Sequence, residues 1–281
     1  MIRKTQQLSE LNLRVSYLEA GHGAPLVLIH GVGMNAASWY PQTEALSRCF
    51  RVLAVDMPGH GDSEGFRHPA TLKEYVAWLA AFLRIQPEPR FAVAGHSMGA
   101  LITAGLAIEY PELVSHAVIV SGVFRRSDEA RAAVLQRAAE LATGHVEIDA
   151  PLARWFSDAP AEQPLRRQVG DWLHQVDRQG YARAYQAFAG GDQIYADRWQ
   201  AIQCPVLVLT GEQDANSSPA MARQMAQAAP HGQAVIIDNA RHMVTLTDAE
   251  RVNAELLAFL RPAPAPVARQ TTQEGVTDGR R

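Results

Sequence analysis

Six short runs in which nearly every residue is apolar, at 25–29, 51–55, 91–94, 116–120, 205–209 and 233–237, punctuate this chain. Between most of them lie stretches with apolar residues at helical spacing, at 72–83, 100–109, 219–228 and 248–260. A run that is apolar at every position must be covered on both faces, and parallel strands obtain that cover from the helices that connect them. The alternation predicts an α/β fold, a mostly parallel sheet with helices on both faces. Residues 11–19 instead alternate apolar and polar positions, as an antiparallel edge strand does.

The pattern breaks between the runs at 116–120 and 205–209. Residues 128–141 read there as an amphipathic helix capped by Ser127, and 165–176 and 181–188 read as further helical stretches, with no convincing strand. This is a helical insertion between two strands. It is rich in aromatic residues, among them Trp155, Phe156, Trp172, Tyr181, Tyr185 and Phe188. They suit a lid over an apolar pocket, and equally the ordinary need of a thin helical layer for large side chains. The expected organisation is a core made of 1–122 and 201–261, a lid at 123–200, and a disordered tail at 262–281, where Pro-Ala-Pro-Ala-Pro gives way to Gln, Thr, Gly and Arg.

Composition narrows the partners. With 47% apolar residues the 281-residue chain can bury a sizeable core, and a formal charge of -3 without a basic stripe argues against nucleic acid. No apolar run reaches the length of a membrane span, and the N-terminal residues lack a signal peptide's apolar stretch, so a cytoplasmic protein without a membrane partner is expected. Cys49 and Cys204 form no C-x-x-C pair and the histidines lack metal-ligand spacing. Reduced structural thiols, no metal and no cofactor are the expectation.

Chemistry concentrates in four places. Gly95-His96-Ser97-Met98-Gly99 joins an apolar run to a helical stretch. In that context G-x-S-x-G is a nucleophile elbow, which makes Ser97 the candidate nucleophile. A serine hydroxyl needs an imidazole to take its proton and a carboxylate to orient that imidazole. Just past two later runs stand Thr210-Gly211-Glu212-Gln213-Asp214 and Asp238-Asn239-Ala240-Arg241-His242. Asp214 is the candidate acid, with Glu212 as its competitor, and His242 the candidate base. Oxyanion donors are expected from the backbone amides of Met98 and of Val32, the latter in His30-Gly31-Val32-Gly33. His30, His60 and His96 are read as turn and packing residues.

With these residues assembled, the chain resembles the α/β-hydrolase fold family over about residues 11–260. The resemblance is carried by His30-Gly31-Val32-Gly33, Asp56-Met57-Pro58-Gly59-His60-Gly61-Asp62-Ser63, Gly95-His96-Ser97-Met98-Gly99, Gly211-Glu212-Gln213-Asp214 and His242. It implies a lid in the insertion, no cofactor, and a small-molecule substrate. Serine at the elbow separates the chain from the haloalkane dehalogenases and epoxide hydrolases, which have aspartate there. His96 and Met243 depart from the asparagine and tryptophan often found in carbon-carbon bond hydrolases of ring-cleavage pathways.

What remains resembles esterases and enol-lactone or amide hydrolases acting on small, often carboxylate-bearing metabolites. Arg125 and Arg126 follow the run at 116–120, where the pocket mouth is expected, so that one of them, Arg125 first, would hold a substrate carboxylate; a solvated arginine pair ahead of a helix is the other reading. A carbon-carbon bond hydrolase is one alternative. A small-molecule sensor of the same fold that signals to a partner protein is another.

Overall fold

The computed structural model describes residues 1–144 and 147–260; the expected tail at 262–281 lies outside them. Eight strands form one sheet: β1 (Ile2–Leu8), β2 (Leu13–Ala20), β3 (Ala24–Ile29), β4 (Phe50–Val55), β5 (Phe91–His96), β6 (Val114–Val120), β7 (Val206–Gly211) and β8 (Gly232–Ile237). Their spatial order is β1-β2-β4-β3-β5-β6-β7-β8. From β4 to β8 all neighbours are parallel, while β1 with β2 and β2 with β4 are antiparallel.

The central strands show why their sequences are apolar throughout. Val27, Ile29, Val93, Ile119 and Val208 face one core cluster, and Leu26, Leu28, Ala94, Val118 and Leu207 face another. Successive side chains of a strand point to opposite faces, so a sheet covered on both sides leaves no position for a polar residue. The helices of the core are α1 (Tyr40–Leu46), α2 (Leu72–Arg84) and α3 (Met98–Glu109). Those of the insertion are α4 (Asp128–Ala142), α5 (Asp149–Trp155), α6 (Gln163–Gln175) and α7 (Arg178–Ala189). The chain closes with α8 (Pro219–Ala228), α9 (Val244–Thr247) and α10 (Ala249–Leu260). Apolar side chains of α2, α3 and α8 fill the first cluster, and those of α1 and α10 the second.

Two expectations need correction. The alternating segment is not the sheet edge: β1 pairs along the whole outer side of β2, from Ile2 opposite Glu19 to Leu8 opposite Leu13. β1 was hidden because its residues are mostly polar and exposed, with Leu8 its only buried one. Polar side chains are normal for an edge strand, and they remove the pattern by which strands are read. The insertion between β6 and β7 also holds one helix more than expected, α5, a short one with Pro151 in its first turn. Ser127 does cap α4, its side chain accepting from the Ala130 amide.

Candidate active site

The turn from β5 into α3 is tight because its glycines allow it. A Cβ on Gly95 would lie 2.0 Å from the Gly99 carbonyl oxygen, and one on Gly99 would lie 2.2 Å from that of Ile29. Ser97 sits between them at φ 55° and ψ -113°, a backbone conformation that L-residues seldom adopt and that clusters at functional sites. Its amide donates to the Val120 carbonyl of β6 at 2.9 Å, which anchors the strained turn to the sheet. The Ser97 hydroxyl makes no side-chain hydrogen bond among the described residues.

Asp214 and His242 come from the loops after β7 and β8, at the same end of the sheet. His242 Nδ1 lies 2.8 Å from Asp214 Oδ2, and both side chains are almost fully buried. The other carboxylate oxygen, Oδ1, accepts from the amides of Asn216 and Ser217 at 2.8 and 3.0 Å. Burial alone would raise the Asp214 pKa, but the facing imidazole and the two amides outweigh it and hold it below the ordinary aspartate value. The competitor Glu212 is excluded from this contact, since its carboxylate accepts from the exposed Asn239 amide instead.

The loop after β3 lies directly against the elbow: a Cβ on Gly31 would stand 3.1 Å from that of Ser97. The Gly33 amide is taken by His60 Nε2 and the Met34 amide by the Gly31 carbonyl. The amides of Val32 and Met98 donate to no acceptor among the described residues. Two unpaired donors therefore flank Ser97.

Three further histidines, His30, His60 and His96, fix this arrangement. His30 accepts from the Met57 amide through Nε2, leaving Nδ1 to donate to the Gly31 carbonyl. His60 links the Gly33 amide to the Pro58 carbonyl in the same way, so the two rings brace the 30–33 loop against the 56–63 turn. Asp56 holds that turn from within, accepting from the Ala36 and Asp62 amides and from Arg3. His96 departs from the packing role expected of it. It lines the cavity, donates through Nε2 to the His242 carbonyl at 2.9 Å, and its ring centroid is 4.9 Å from that of His242.

Burial lowers all three pKa values, to about 4 for His30, about 3 for His60 and about 3 for His96. An unfolded histidine takes up a proton near pH 6.5. Below that pH the unfolded chain binds protons that the folded chain refuses, so stability is lost as pH falls from about 6.5 toward 4. Each ring steepens the loss by up to about 1.4 kcal/mol per pH unit. The melting temperature is expected to drop steadily across this window in a scanning fluorimetry series. A flat profile would mean that the rings accept protons without cost.

Ser97 and His242 open onto a cavity of about 420 Å³, walled on the far side by the insertion. Val123, Pro151, Tyr181, Tyr185 and Phe188 give it an apolar lining, and Trp155 lies over His242 with ring centroids 5.7 Å apart. Three arginines also line it: Arg126, Arg137 and Arg154. Arg126 is held by Asp192, which accepts from its Nη1 at 3.1 Å and from its amide at 2.8 Å, while its buried Nη2 has no partner among the described residues. Arg125, the first choice from the sequence, points elsewhere. It pairs with Asp197 at 2.5 Å on the exposed surface, because the backbone turns at Arg125 with φ 46° and sends consecutive side chains in different directions. Arg137 and Arg154 sit on helices of the insertion, where nothing local in the sequence marks one arginine from another. Among the described residues no cluster of three or more His, Cys, Asp or Glu is placed to hold a metal, and no helix is long and apolar enough to cross a membrane.

Comparison with known proteins agrees with this architecture. The chain is 47% identical over 264 residues to an (E)-2-((N-methylformamido)methylene)succinate hydrolase of Acinetobacter baylyi, covering 94% of this chain and 100% of that one. It is 30% identical to a pimeloyl-[acyl-carrier protein] methyl ester esterase of Vibrio cholerae, covering 85% and 95%. A crystal structure of the enol-lactonase from Burkholderia xenovorans LB400 superposes with a TM-score of 0.82 at 26% identity, covering 92% and 99%. The pattern of the alpha/beta hydrolase family matches residues 26–255, and with that match and these relatives the chain belongs to the α/β hydrolase family.

Proposed function

We propose that the chain hydrolyses the amide bond of a small N-acyl enamine that carries two carboxylates, through an acyl-enzyme on Ser97. The observation that carries this reading is the placement of Arg126, Arg137 and Arg154 around the cavity that Ser97 and His242 share. Arginine binds carboxylate through two parallel hydrogen bonds, and a buried guanidinium nitrogen left without an acceptor is an opening for one. The Acinetobacter baylyi relative is named for a substrate of this class. The apolar walls suit the hydrocarbon part of such a molecule.

In this mechanism Ser97 Oγ attacks the acyl carbon while His242 takes the hydroxyl proton. Asp214 holds the imidazole in the tautomer with its proton on Nδ1 and stabilises the charged ring that forms. The amides of Val32 and Met98 receive the oxyanion. The carbon-nitrogen bond then breaks with proton transfer from His242 to the departing enamine, and water activated by His242 releases the acid. In an aminomethylene succinate the leaving nitrogen is conjugated through the double bond to a carboxylate. An arginine on that carboxylate stabilises the negative charge that spreads from nitrogen as the bond breaks. The insertion acts as a lid, with 123–200 closing a core made of 1–122 and 201–261.

Steady-state turnover on four substrates tests this: an N-acyl aminomethylene succinate, a dicarboxylate enol-lactone, a ring-cleavage diketone and a short neutral ester. The expected result is repeated turnover with the amide preferred. Preference for the lactone or diketone would move the bond class, and release of no more than one equivalent of product would point to a sensor. Arg154 is exposed and makes no ion pair among the described residues, so its loss should spare the fold. Arg154→Met is expected to lower kcat/KM for the dicarboxylate by roughly 10- to 100-fold, the worth of a charge-assisted hydrogen bond.

A further inference from the structure

Arg241, the residue before His242, directs its side chain away from the triad and onto the insertion. Its Nη1 donates to the carbonyl oxygens of Ala153 and Phe156, at 3.1 and 2.7 Å. These belong to the last turn of α5 and to its C-cap residue. The final carbonyls of a helix have no partners within it, and a cation there also meets the negative end of the helix dipole. Between the two carbonyls in sequence stand Arg154 and Trp155, both lining the cavity. The Trp155 ring lies over the His242 ring at an interplanar angle of 34°, and its indole nitrogen is buried without a partner among the described residues. One guanidinium thus joins the loop that presents the base to the short helix that presents an arginine and an indole to the substrate.

We infer that Arg241 is a positioning residue that latches the lid helix α5 to the His242 loop, so that acidic substrates are gripped in register with the base. The inference rests on the preceding reading of the substrate as a dicarboxylate. Helix α5 has only seven residues, too few to hold its geometry alone, so its place depends on the burial of Pro151 and Leu152 and on the bonds that hold its C-terminal end. Without the Arg241 bonds, Arg154 and Trp155 lose their fixed distance from His242. A substrate held through Arg154 suffers, whereas a small neutral ester that needs only the elbow and the triad suffers far less. Both bonds leave the one Nη1, whose two hydrogens serve the two carbonyls, and a lysine ammonium, which also carries several hydrogens on one nitrogen, can make such a pair less firmly because its stem lacks the fixed plane of the guanidinium.

The experiment compares wild type, Arg241→Gln and Arg241→Lys on (E)-2-((N-methylformamido)methylene)succinate and on 4-nitrophenyl acetate, with hydrogen exchange followed in the peptide spanning 149–156. For Arg241→Gln the loss of kcat/KM on the succinate should exceed the loss on the acetate ester at least tenfold, mostly through KM. The lysine variant should recover part of it. Exchange at the Phe156 amide, which is bonded to the Leu152 carbonyl, should quicken. Equal losses on both substrates would overturn the latch and leave Arg241 as a support of the His242 loop alone. Unchanged exchange in 149–156 would overturn it as well. Wild type that cleaves the acetate ester but not the succinate sinks the preceding reading of the substrate, and the latch then stands or falls on the exchange rates.

Discussion

Replacing Ser97 by alanine is expected to lower kcat by roughly 10⁴- to 10⁶-fold, the range seen when a triad nucleophile is removed. The protein should remain folded. The elbow is held by backbone bonds and by the close approach of Gly95 to Gly99, none of which involves the hydroxyl. Alanine must adopt the same positive φ as serine, so the strain is common to both. What is lost is the atom that the proposed mechanism uses to form the acyl bond, while the Val32 and Met98 amides and the cavity survive, so substrate binding should change far less than turnover. Mass spectrometry after rapid mixing should show an acyl adduct on wild type and none on the variant. A variant that keeps turnover near the wild-type rate would remove Ser97 from the mechanism.

The framework of this site was legible in the sequence because its parts are local. Gly95, Ser97 and Gly99 lie within five consecutive residues, and the turn they form is dictated by contacts that leave no room for a Cβ. The meeting of Asp214 with His242 follows from topology, since the carboxyl ends of parallel strands share one edge and the loops there must converge. Topology alone leaves Asp214 and Glu212 open, since both follow β7; the G-x-x-D spacing favours Asp214, and the structure turns that residue inward, where the amides of Asn216 and Ser217 hold it.

The parts that were not legible depend on packing between distant segments. His96 was assigned to packing because no local pattern says that a side chain from the elbow reaches a carbonyl 146 residues later. Arg125 and Arg126 are neighbours in the sequence, and the preference for Arg125 fails because the chain, at positive φ there, puts that side chain at the surface and leaves Arg126 in the cavity. Arg137 and Arg154 acquire meaning only when α4 and α5 fold over Ser97. The strand β1 illustrates the same limit in the fold, for its register comes from β2 and not from any apolar period of its own.

Asp214→Asn is the second large effect, and its cause can be read from the carboxylate's surroundings. Oδ1 accepts two backbone N–H groups, from Asn216 and Ser217, so an asparagine must place its carbonyl oxygen there; an amide nitrogen would set donors against donors. The NH₂ is thereby forced toward His242 Nδ1, where Asp214 Oδ2 stood at 2.8 Å. Facing a donor, Nδ1 becomes an acceptor and the ring proton moves to Nε2. An imidazole protonated at Nε2 cannot take the Ser97 proton, and the charge that stabilised the imidazolium is gone as well. A fall in kcat of about 10⁴-fold is expected, the scale reported for this substitution in another triad, with little change in shape or volume. Ring nitrogen chemical shifts should show the tautomer reversed relative to wild type. Loss of activity without that reversal would assign Asp214 a purely electrostatic role, and retention of activity would remove it from the triad.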